Sequence, residues 1–153
     1  MRLALDTNIL AYAEGVNGAA RQQQTLQLIE LLRRRHEVYI PCQTIGELFN
    51  VLTRKAGYAP PDARSTALAW LDPGLAIETS RPIIRAALDL AMRHQLCIWD
   101  AVVMAAAAEV ECGALISEDL EDGFIWSGVT VVNPYAQAVH PLLASLLKHN
   151  GRS

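Results

Sequence analysis

Apolar residues follow two rhythms along this chain. Short apolar runs occur at Leu3-Ala4-Leu5, Val38-Tyr39-Ile40 and Ala114-Leu115-Ile116, and Val129 to Val132 is apolar except at Thr130. Runs of this length, bounded by turn residues, read as strands buried on both faces. Leu75 to Glu78 is a further short strand candidate. Between the runs, apolar residues return every third or fourth position, as on a helix. The pattern predicts a short helix from Ile9 to Ala13, then a turn at Gly15-Val16-Asn17-Gly18, and a long helix over 20–35. Leu26, Leu28, Ile29, Leu31 and Leu32 give the long helix a wide apolar face, and Arg33-Arg34-Arg35 suit its last turn.

Thr44 and Glu47 have the spacing of a capping box, which opens a helix running to Lys55 and ending at Gly57. Pro60-Pro61-Asp62 opens another, with Leu68, Trp70 and Leu71 on it, and Pro73-Gly74 stops it. Ser80 caps a helix reaching His94, with Ile83, Ile84, Ala87, Leu88, Ala91 and Met92 expected inward. An alanine-rich helix follows from Asp100 to Val110, whose small side chains allow close packing on a sheet. Residues 117–123 read as a loop, 137–148 as a last helix and Asn150-Gly151-Arg152-Ser153 as a frayed tail. Strands alternating with helices predict an α/β fold: a central, mostly parallel sheet of four to five strands with helices on both faces. No linker or repeat divides the chain, so residues 1–153 are expected to form a single domain.

Composition narrows the function. Hydrophobic residues make up 52% and charged residues 19%, which excludes a disordered chain. The net charge of −3 argues against a broad electrostatic grip on nucleic acid. It remains compatible with an acidic site that meets phosphate through a bound cation. The cysteines Cys42, Cys97 and Cys112 form no CxxC pair and no zinc cluster with histidine. Cys97 and Cys112 are expected as small core residues, and a reduced, cytoplasmic setting fits. No signal peptide opens the chain, and the apolar run Ala101 to Ala108 is far short of the ~20 residues of a membrane span.

The chemistry lies in the acids. Asp6 ends the first strand, where open α/β sheets place their sites. Glu47 comes early in a helix, Asp100 at a helix start, and Asp119 just after a buried strand. Such carboxylates without matching cations suit a hard divalent metal. Each has a structural alternative. Asp6 and Asp100 are possible N-caps, Glu47 a capping-box partner, and Glu118, Glu121 and Asp122 rival Asp119 in the same loop. No Ser/His/Asp or Cys/His constellation competes, since His36, His94, His140 and His149 read as surface residues at helix ends or near the tail. No GxxxxGK loop occurs. Asn8 stands where an aspartate-phosphorylating hydrolase needs a second Asp.

Four segments stand out together: Leu5-Asp6-Thr7-Asn8-Ile9-Leu10, Thr44-Ile45-Gly46-Glu47-Leu48, Ile98-Trp99-Asp100-Ala101, and the stretch from Leu115 to Gly123. In this order they resemble the PIN domain family, in particular VapC-like toxin ribonucleases of type II toxin–antitoxin systems. The resemblance implies a PIN-like three-layer α/β/α fold and a Mg²⁺- or Mn²⁺-dependent endoribonuclease. It assigns Asp6, Glu47, Asp100 and Asp119 to catalysis. Asp6, Asp100 and Asp119 are the metal-binding set, Glu47 holds a water or acts as a base, and Asn8 and Ser117 are supports. It further implies an RNA substrate, a cognate antitoxin and a homodimer. Arg21, Arg54, Lys55 and Arg81 are the candidate RNA contacts. Two rivals stand beside it: a PIN-like module that binds RNA or protein without cutting, and a solitary RNA-processing nuclease.

Overall fold

The computed structural model describes residues 1–148. The tail from Asn150 and the surface expectation for His149 fall outside them. In chain order the elements are β1 (Arg2–Leu5), α1 (Thr7–Ala13), α2 (Ala19–Arg33), β2 (Glu37–Pro41), α3 (Cys42–Arg54), α4 (Pro60–Leu71) and β3 (Leu75–Ile77). These are followed by α5 (Arg81–His94), α6 (Ile98–Glu109), β4 (Ala114–Ile116), β5 (Ile125–Trp126), β6 (Val129–Val132) and α7 (Pro141–Leu147). The strands form one sheet in the order β3-β2-β1-β4-β6-β5, parallel except for β5.

Alternation along each strand builds two cores. Leu3, Leu5, Val38, Ile40, Ala114, Ile116 and Val132 face one side, against α1, α2, α3, α4 and α7. Ala4, Leu115, Val129 and Val131 face the other, against α5 and α6. Seven consecutive residues of α6, Ala101 to Ala107, are buried. Four of the seven are alanines, whose small size lets this helix lie between the sheet and α5. The result is the expected three-layer α/β/α arrangement.

The sheet has six strands, where the sequence predicts four to five. The extra one, β5, is two residues long and pairs with β6 around a Ser127-Gly128 turn. Both turn residues have positive φ, 50° and 81°. That matches the tight hairpin turn whose twist suits antiparallel strands, a turn more often announced by Asn-Gly. Two residues leave no periodicity to read. Strand β6 lies between β4 and β5, so residues beyond 123 complete the same sheet.

Other expectations need correction. Leu26, Leu31, Leu88 and Met92 are exposed, because the apolar faces of α2 and α5 are narrower than composition suggests. Cys97 is exposed, while Cys112 is buried as expected. His36 is half-buried with Nε2 3.0 Å from the Leu146 carbonyl. His140 accepts from the Leu142 N–H at 3.1 Å and so caps α7. His94 is exposed and meets Phe124 edge-on. Helix α3 starts at Cys42, so Thr44 and Glu47 form no capping box; the Thr44 hydroxyl donates to the Pro41 carbonyl instead.

Candidate active site

Strand order reverses beside β1: β2 lies on one side and β4, much later in sequence, on the other. In open α/β sheets such a switch point leaves a crevice beyond the carboxyl ends of the strands. Asp6 follows β1 and Ser117 follows β4, so both sit at this crevice. The Asp6 N–H donates to the Ile116 carbonyl at 3.0 Å, which ties the two strand ends together. The helices run back against parallel strands, so α6 begins on the same edge and carries Asp100 in its first turn. Asp100 is the third residue of that helix and not its cap, which is Cys97.

Asp6 is the hub. It is 3% exposed. Its Oδ1 accepts from the Thr7 N–H at 2.7 Å. Its Oδ2 accepts from the Ser117 hydroxyl at 2.7 Å and the Asn8 amide at 3.4 Å. It therefore caps α1 while lying at the crevice. Burial pushes the Asp6 carboxyl up to about 6, and the Asp100 and Glu47 charges push the same way. The Ser117 hydroxyl and Thr7 amide partly offset this.

The Asp100 carboxyl is half-buried and is also raised, by burial first and then by Glu47 and Asp119. Glu47 is held from both sides: Oε2 accepts from the Thr7 hydroxyl at 2.9 Å, and Oε1 from the Gln43 amide at 3.0 Å. Asp119 is exposed. With Thr7, Asn8, Tyr12, Glu47 and Lys55 it lines a hollow of about 230 Å³. The four acids thus lie on one edge and repel one another. Among the described residues none of them has an ion-pair partner.

Oxygen-only donors without basic partners fit a hard divalent cation. Among the described residues, no three His, Cys, Asp or Glu side chains form a ready-made ligand set. An ion here would therefore keep water at several positions, as Mg²⁺ commonly does.

The sequence model of the family described as PIN domain matches residues 3–122. The chain belongs to the PIN domain family. Solved structures agree on the fold. A toxin–antitoxin complex from Klebsiella pneumoniae is 23% identical, with 87% of this chain and 98% of that chain covered and a TM-score of 0.65. VapC20 from Mycobacterium tuberculosis, a toxin that cleaves the sarcin-ricin loop, is 17% identical, with coverage of 74% and 86% and a TM-score of 0.61. VapBC2 from Rickettsia felis, bound to a DNA fragment from its promoter, is 18% identical, with coverage of 76% and 86% and a TM-score of 0.60. Comparison with curated protein sequences finds no significant match.

In this PIN domain two of the three rivals of Asp119, Glu118 and Asp122, have other work. Glu118 pairs with Arg21 at 2.8 Å and accepts from the Tyr12 hydroxyl at 3.1 Å. The Arg21 guanidinium also lies 3.9 Å from the Tyr135 ring centre. Arg21 is thereby committed to α2 and the Glu118 loop and is withdrawn from the candidate RNA contacts; Arg54, Lys55 and Arg81 remain exposed. Asp122 accepts from the Asn133 N–H at 2.8 Å. Of these loop acids, Asp119 is the one whose charge raises Asp100. Asn8 bridges the two strand ends, since its Oδ1 accepts from the Glu118 N–H at 3.1 Å.

Thr7 and Tyr12 are site residues that the sequence did not single out. A hydroxyl beside an aspartate gives no periodic signal, and the Thr7 bond to Glu47 spans 40 positions. One consequence concerns Ser117. It donates to Asp6 and accepts from the Leu120 N–H at 3.4 Å. Ser117→Ala removes the donor that favours the Asp6 carboxylate, so the Asp6 carboxyl rises further. If the acidic site cleaves RNA, the acid limb of its pH–rate profile should then move to higher pH, with a stability loss of about 1–3 kcal/mol. An unmoved limb would remove Asp6 from the titration that governs the rate.

Proposed function

We propose that this PIN domain is a Mg²⁺- or Mn²⁺-dependent endoribonuclease, a VapC-like toxin that hydrolyses RNA phosphodiester bonds. The observation that carries the reading is the set of four carboxylates at the switch point of the sheet, none of them paired with a base among the described residues. Asp6, Asp100 and Asp119 would hold the cation, directly or through water. Glu47, fixed by Thr7 and Gln43, is placed to hold a water or accept its proton. Asn8 and Ser117 orient Asp6. The ion, when bound, would polarise the phosphate and acidify a water. Lys55 lines the hollow next to Asp119 and is the cation best placed to meet a neighbouring phosphate.

Solved neighbours include toxin–antitoxin complexes, which supports a cognate antitoxin for this chain. An arginine from such a partner would satisfy these carboxylates as a bidentate fork and exclude the cation. The reading carries with it a homodimer, a cytoplasmic location and one PIN domain over residues 1–153. No helix among the described residues is long and apolar enough to cross a membrane. A non-cleaving PIN-like module is the rival reading, favoured by the lack of a ready-made ligand set.

The test is incubation of the protein with labelled total cellular RNA in Mg²⁺ or Mn²⁺. We expect discrete fragments and their complete loss in EDTA. Calorimetric metal binding with every RNA left intact would favour the non-cleaving module.

A further inference from the structure

We propose that the groove between α3 and the start of α6 is a subsite for one unpaired RNA base, stacked on Trp99 beside the acidic crevice. This rests on the ribonuclease reading above and adds where the substrate is held. Gln43, Gly46, Glu47, Asn50, Thr79 and Trp99 line a groove of about 550 Å³. That lies within the roughly 300–1,000 Å³ of small-ligand clefts.

Three observations point to a base. First, Trp99 is 51% exposed, although its chain neighbour Asp100 is half-buried in the acidic crevice. An exposed aromatic face beside a phosphodiester-cutting site is the stacking platform that single-stranded nucleic acid uses, and every base has a π-face to meet it. Second, Gln43, Gly46, Glu47 and Asn50 stand at helical spacing along one side of α3. Asn50 and Thr79 are exposed, and their side chains bond nothing else among the described residues. They offer both donors and acceptors to the edge of a base.

Third, Gly46 lies inside α3, where glycine costs roughly 0.5–1 kcal/mol relative to alanine. A Cβ added there would meet nothing within 4 Å. Packing within the protein therefore gives no reason for a glycine, whereas an occupied groove does. Glu47 lines both this groove and the hollow that holds Asp119 and Lys55. A base on Trp99 would thus place its own phosphate next to the carboxylates.

The test compares wild type with Trp99→Ala, Trp99→Phe and Gly46→Ala, using fluorescein-labelled random-sequence RNA decamers. KM and kcat are taken in Mg²⁺, binding by anisotropy in EDTA, and stability by thermal melts. Trp99→Ala should raise KM and weaken binding by roughly tenfold to a hundredfold while kcat changes little. Trp99→Phe should keep most of the affinity. Gly46→Ala should melt higher yet bind RNA several-fold more weakly. If wild type binds and cuts RNA and Trp99→Ala does so equally well, the subsite is wrong, the nuclease reading stands, and the groove is left to a protein partner. If both Trp99 variants lose affinity and melting temperature together, the residue is structural and the proposal fails. If wild type neither binds nor cuts, the ribonuclease reading fails and takes the subsite with it.

Discussion

Asp6→Asn and Asp100→Asn should each give a folded protein that has lost RNA cleavage by about a hundredfold or more. The substitution keeps shape and removes one negative charge, so the field that attracts a cation weakens where it is strongest. For Asp6 the local bonds largely survive. The asparagine Oδ1 still accepts from the Thr7 N–H, and the Ser117 hydroxyl can turn to accept from the new amide, while the long bond from the Asn8 amide at 3.4 Å is lost. Asp100 is half-buried and makes no hydrogen bond to another described side chain, so its replacement disturbs less still. Cleavage of labelled RNA in Mg²⁺, alongside far-ultraviolet circular dichroism, checks the result. Wild-type rates in both variants would show that these carboxylates are not the reacting site.

The second expected result runs the other way: in EDTA at neutral pH, Asp6→Asn should be more stable than wild type. Burial raises the Asp6 carboxyl from 3.8 to about 6. Below pH 3.8 both folded and unfolded chains carry the proton. Between 3.8 and about 6 the unfolded chain releases it while the folded chain keeps it. Stability therefore falls as pH rises through this window and is flat above it. A rise of about two pH units corresponds to about 3 kcal/mol at 1.36 kcal/mol each. Asparagine escapes that cost, so the two proteins should diverge between pH 4 and 6 and stay apart at pH 7 by several degrees of melting temperature. Added Mg²⁺ should raise wild type toward the variant, because an ion that binds only the folded state stabilises it. Melting curves that stay parallel from pH 4 to 7 would mean that the Asp6 charge is not buried in the folded chain. Together the two results describe one trade: a site that attracts a cation by holding a charge the fold alone disfavours.

The sequence by itself determined the architecture. Apolar runs at Leu3 to Leu5, Val38 to Ile40 and Ala114 to Ile116, with the stretch Val129 to Val132 that only Thr130 interrupts, became the inner strands, since a strand covered on both faces is largely apolar. The alanine-rich stretch became the buried α6 because small side chains leave room between sheet and helix. The acids Asp6, Glu47, Asp100 and Asp119 were legible as candidates from their positions at element ends.

What only the tertiary structure decided was which neighbours each acid has. Caps are set by local φ and ψ, and these moved the start of α6 to Ile98 and dissolved the Thr44–Glu47 box. Faces are set by packing, which left Trp99, Leu88 and Met92 in solvent despite their apolar nature. Arg21 reads as a free cation in sequence, but the fold brings Glu118 and Tyr135 beside it and so pairs its charge. Thr7 and Ser117 reach Glu47 and Asp6 across 40 and 111 positions. Hydrogen bonds at that separation leave no periodic trace along the chain, because they depend on strand order and not on spacing.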